Sequence, residues 1–60
     1  MPVVEVKWWQ GRTPAQKKKL IEGLFAVFEK NGIPKEKLHI IIHDIPKTDW
    51  GENGKQASEN

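Results

Sequence analysis

The chain has 60 residues, no cysteine, and a net charge of +2 from ten basic and eight acidic side chains. Disulfides and thiolate metal sites are therefore excluded, and two histidines, His39 and His43, are too few for a zinc site without carboxylate help. So short a chain buries only about 60% of the surface its unfolded form exposes; one domain over residues 1–60 is expected, with oligomerisation as the remaining stabilising device.

Met1-Pro2 leads into Val3-Val4-Glu5-Val6-Lys7-Trp8-Trp9. Val4, Val6 and Trp8 alternate with Glu5 and Lys7, the period of a strand with one better-buried face. Pro2 has two readings. It suits the first position of an edge strand, where its missing N–H matters little. Alternatively, Met1 is removed, as methionine aminopeptidase generally does before a small residue. Pro2 would then carry a free secondary amine on a rigid ring. Such an α-amino group titrates at about 7.7–8.0, far below a lysine at about 10.4. Nearby positive charge or burial lowers it further, giving a base that works at neutral pH. On Pro2 alone the first reading is the simpler.

Gln10-Gly11-Arg12 breaks the alternation as a turn. A helix is predicted from Pro14 to about Asn31. Thr13 is its N-cap, Pro14 its first residue, and Gln16 completes a capping box. Leu20, Ile21, Leu24, Val27 and Phe28 form the predicted apolar stripe, and Gly32 the left-handed C-cap. Lys17-Lys18-Lys19 reads as a solvated helix face. The basic residues are scattered among acids and include a single arginine, Arg12. A nucleic-acid module would concentrate arginine in a stripe, so nucleic acid is not an expected partner.

Ile33 to Lys37 is a short connection with room for one helical turn. Leu38 to about Ile45 reads as a second strand, apolar on both faces and expected inside a sheet parallel to the first. The strand–helix–strand order implies a right-handed crossover. Asn53-Gly54 is a tight-hairpin dipeptide, and Gln56 to Asn60 is expected to fray. Trp50 stands alone in this polar tail, and an aromatic so placed normally packs on something else, often a neighbouring subunit. No stretch is apolar enough to span a membrane and no signal-peptide core follows Met1, so the expected location is cytoplasmic.

With these elements in order, the chain resembles the 4-oxalocrotonate tautomerase family over essentially its whole length. The resemblance rests on Met1-Pro2 opening a strand, Gly11-Arg12-Thr13 leading into a helix, the hydrophobic second strand, and the segment Trp50-Gly51 through Gly54. It implies an α+β fold, a β-α-β unit with a C-terminal hairpin. Two subunits pair their strands into a four-stranded sheet, and three such dimers make a homohexamer with shared active sites. The implied activity is enol–keto tautomerisation of 2-hydroxy-dienoate or related 2-oxo acids, without metal or organic cofactor.

By the same resemblance, Pro2 is the catalytic base and Arg12 grips a substrate carboxylate, for which its planar fork and permanent charge suit it. Trp50 stands where members usually carry phenylalanine as an apolar pocket wall, and backbone groups around Trp9 contact substrate. His39 occupies the position of a second arginine on the second strand. Either it takes over part of that role, with a charge that is partial near neutrality for a histidine, or it is an ordinary strand residue. Glu52-Asn53-Gly54 also departs from the family's usual apolar residue and two glycines. Both departures point away from a dicarboxylate substrate. Other proline-based reactions on unsaturated or 2-oxo acids, such as hydration, decarboxylation or dehalogenation, stay open, with Glu52 or His39 to activate water. So does a non-catalytic subunit of a hetero-oligomer.

Overall fold

The computed structural model describes all residues, 1–60. Strand β1 (Val3–Trp9) leads into helix α1 (Pro14–Lys30), which returns the chain to strand β2 (His39–Ile45). The two strands are parallel, in a register from Val3 opposite His39 to Trp9 opposite Ile45. A hairpin of β3 (Gly51–Glu52) and β4 (Lys55–Gln56) closes the chain. Short 3-10 turns stand at Lys35–Lys37, Lys47–Asp49 and Ala57–Glu59.

The helix begins as its sequence dictates. The Thr13 side chain accepts from the Gln16 amide at 3.1 Å, and the Gln16 side chain accepts from the Thr13 amide at 2.9 Å. Such a cap contributes about 1 kcal/mol. Asn31 is the C-cap and Gly32 follows with φ of 88°. The buried stripe differs by one residue from the predicted one. Phe25 is half-buried with Leu20, Ile21, Leu24 and Phe28, whereas Val27 is 55% exposed.

Alternation in the register gives the sheet two unlike faces. Val4, Val6 and Trp8 share one face with Ile40, Ile42 and Asp44, and their apolar members are half-buried. A three-residue polar cluster ties this face to the helix. The Trp8 indole donates to Asp44 at 2.7 Å, and the Lys17 ammonium of α1 pairs with the other carboxylate oxygen. The opposite face carries Val3, Ile41 and Trp9, which are 54%, 45% and 38% exposed. Of the run Ile40-Ile41-Ile42, therefore, only Ile41 lacks cover within the chain. Glu5 and His43 pair across this open face at 2.8 Å.

The C-terminal residues are held rather than frayed. Asn53 and Gly54 both take positive φ, 54° and 76°, as a two-residue type I′ turn requires; asparagine and glycine are the residues that tolerate it. The Gln56 side chain donates to the Thr48 carbonyl at 2.9 Å and its amide donates to Glu59. Ala57, whose amide donates to the Trp50 carbonyl at 2.7 Å, is only 5% exposed.

Leu38, at 4%, is the one other fully buried residue of the 60. The accessible surface is 4708 Å², against roughly 4000 Å² expected of a free-standing monomer of this mass. The radius of gyration is 14.4 Å, against roughly 10 Å for a compact domain of this length. A single copy thus leaves much of its apolar surface uncovered.

Candidate active site

The residues singled out from sequence fall into two groups, at opposite ends of β1. At the start of the strand, Pro2 is half-buried and its carbonyl accepts the His39 amide at 3.2 Å. His39 is exposed and lies opposite Val3, so its side chain belongs to the open face of the sheet.

At the far end stand Trp9, Arg12 and Trp50. The Gln10 amide still donates to Ile45 at 2.9 Å, extending the ladder one residue past the strand. Gly11 then turns the chain with φ of 127°, a conformation open to glycine but strained for other residues. That reversal brings the Arg12 guanidinium back over the Trp8 ring, 5.2 Å from its centroid. The next side chain along, Trp9, points to the other face and meets Trp50 edge-on, with centroids 5.9 Å apart and planes at 76°. Lys47 lies over the Trp9 ring at 4.6 Å. Trp9, Gln10, Gly11, Arg12 and Lys47 line a concave pocket of about 290 Å³.

The two groups do not meet within one chain. Seven residue steps separate Pro2 from Trp9, and at about 3.3 Å per step the strand holds them roughly 23 Å apart. Extended backbone cannot fold back over that distance, so Pro2 and Arg12 do not meet within a single copy. Trp50 packs on Trp9 of its own chain. Lys47 carries no signal in a reading that counts arginines. Its position directly after Pro46, three residues before Trp50, is the one hint available.

The side chains at the far end are cationic and aromatic, suited to hold an anionic group against an apolar wall. No cluster of three or more histidine, cysteine, aspartate or glutamate side chains is placed to hold a metal ion, and no helix is long and apolar enough to cross a membrane. The hydrogen bond from Lys17 holds the Asp44 carboxyl below the usual carboxylate range, and that from Trp8 adds to the effect.

A family model described as tautomerase enzyme matches residues 2–60, beginning at Pro2. The 2-hydroxymuconate tautomerase of Comamonas testosteroni is 38% identical over 98% of this chain and 95% of its own length. A 4-oxalocrotonate tautomerase isozyme structure from Methylibium petroleiphilum superposes with a TM-score of 0.82 at 40% identity, covering 95% of this chain and 94% of that one. A heterohexamer 4-oxalocrotonate tautomerase from Chloroflexus aurantiacus gives 0.86 at 27% identity, over 98% and 97% of the two chains.

Proposed function

Since the chain belongs to the tautomerase family and is a 4-oxalocrotonate tautomerase-like isomerase, we propose that it interconverts enol and keto forms of 2-hydroxy-dienoate or related 2-oxo acids, with Pro2 as the base once Met1 is removed. The observation that carries this reading is the position of Pro2. It is the first residue matched by the family, it is half-buried, and its carbonyl is anchored to β2. Such anchoring holds an amino-terminal amine in place for proton transfer.

The chemistry needs no outside reactant. The Pro2 nitrogen takes the proton of the 2-hydroxyl, the carbonyl forms, and the conjugated electrons shift outward to carbon. The resulting ammonium returns the proton to that carbon. Atoms and electrons balance, and the base is regenerated. Arg12 holds the carboxylate, Trp50 and Trp9 form the apolar wall, and His39 borders the Pro2 end.

Because Pro2 and Arg12 lie at opposite ends of β1, a complete site needs the Pro2 end of one copy against the Arg12 end of another. The excess accessible surface and the open face of Val3, Ile41 and Trp9 support such an assembly. A homohexamer built from strand-paired dimers is the form proposed. The test is the rate of 2-hydroxymuconate ketonisation by wild type and Pro2→Ala. Loss of about 10²–10⁴ in kcat is the scale of removing a positioned base; an unchanged rate refutes the role of Pro2.

A further inference from the structure

We infer that Lys47 is a second cation of the carboxylate half-site, acting with Arg12 on the same substrate carboxylate. The inference rests on the reading of Arg12 as the carboxylate-holding side chain and adds a residue to it.

Three observations converge on Lys47. It lines the same pocket as Arg12, across the turn Gln10-Gly11, and no acidic side chain lines that pocket. Neither cation has an ion-pair partner, although Lys17 and Lys18 each find one elsewhere in the chain. Arg12 lies over Trp8 and Lys47 over Trp9, so the two cations reach the pocket they both line from either side of the strand's end. Two cations lining one concavity with no acid beside them make it a place that favours an anion.

The aromatic contacts define how Lys47 is presented. Its ammonium lies 4.6 Å from the Trp9 centroid, and Trp50 buttresses that ring edge-on. The indole face attracts the cation without neutralising it, so the charge remains available to a ligand. A lysine presents a point charge, whereas arginine presents a fork. Arg12 therefore fixes the orientation of the carboxylate and Lys47 adds attraction. This makes Lys47 a substrate-binding residue, with its effect chiefly on KM.

The test compares wild type, Lys47→Met, Lys47→Arg and Arg12→Ala in steady-state kinetics with 2-hydroxymuconate, alongside calorimetric binding of cis,cis-muconate, a dicarboxylate that carries no enol. Methionine keeps the apolar stem over Trp9, and Lys47 is exposed, so the fold tolerates the change. Losing one charge-assisted contact raises KM and the muconate Kd roughly tenfold in Lys47→Met, with kcat nearly unchanged. Lys47→Arg restores both. Muconate binding unchanged in Lys47→Met, while Arg12→Ala weakens it, overturns the inference and leaves the tautomerase reading standing. Weakened muconate binding in Lys47→Met together with full activity of Pro2→Ala upholds the inference and refutes Pro2 as the base. A fall in kcat without a change in KM or muconate affinity overturns it too.

Discussion

Trp9 and Trp50, 41 positions apart in sequence, meet edge-on with ring centroids 5.9 Å apart and planes at 76°. The contact pins the segment before the hairpin to the end of β1, and with it Lys47 and the pocket beside Arg12. Edge-to-face pairs contribute about 0.5–1.5 kcal/mol beyond the area they bury. Trp50→Ala should therefore lower kcat/KM by roughly two- to tenfold, with helix content by circular dichroism little changed. Trp50→Phe should keep most of the activity. Equal losses of helix and activity in Trp50→Ala would assign Trp50 to the fold rather than the site.

Assembly should be inseparable from folding. With two fully buried residues in 60, one copy has little core of its own. Sedimentation should show a hexamer, with a dimer as the smallest folded unit. Ile41→Lys, a charge on the open face of the sheet, should dissociate the assembly and lower its melting temperature at the same protein concentration. A folded monomer at micromolar concentration is inconsistent with this account.

The Asp44 carboxylate gives stability a defined acid limb. Its pKa is lowered below the ordinary 3.8 by Lys17 and then Trp8. A depressed folded-state pKa means that the contribution is fully present above the unfolded value and is lost as pH falls through the folded one. Chemical-denaturation midpoints should accordingly be flat above about 5 as far as Asp44 is concerned and fall below about 3.8. Asp44→Asn should be less stable at neutral pH and lose part of that acid-limb slope. An unaltered slope would remove Asp44 as its source.

Substrate choice turns on position 39. With His39 in place of a second arginine, a monocarboxylate enol should be handled at least as well as 2-hydroxymuconate. His39→Arg should improve kcat/KM selectively for the dicarboxylate, by one charge-assisted contact or roughly tenfold, while Arg12→Ala should damage both substrates. A wild type that strongly prefers the dicarboxylate, with no gain from His39→Arg, would mean that position 39 has no such role.

Local chemistry was legible in the sequence wherever a residue acts on its own neighbourhood. Thr13 and Gln16 announced the helix start, Asn53-Gly54 the hairpin, and the alternation of Val4, Val6 and Trp8 the buried face of β1. The run Ile40-Ile41-Ile42 gives a strand apolar on both faces, and alternation covers Ile40 and Ile42 within the chain while leaving Ile41 on the open face. The helix stripe misplaced Val27 for Phe25 because the rotation of a helix against its sheet is decided by packing, not by spacing alone. The tail was expected to fray because its anchors are side-chain bonds such as Gln56 to Thr48, which composition does not reveal. Candidate site residues were identifiable by type and order. Their separation into two ends follows from the seven strand steps between Pro2 and Trp9. The Trp9–Trp50 contact and the approach of Lys47 depend on tertiary packing that no local pattern encodes.

The most direct test of the central claim is intact mass of the purified protein before and after treatment with a halopyruvate, followed by peptide mapping of the adduct. The account predicts a chain lacking Met1 that takes up one label, on the Pro2 nitrogen, with activity lost in proportion. A chain that keeps Met1 throughout, or a label that goes to lysine while Pro2 stays unmodified, contradicts Pro2 as the base.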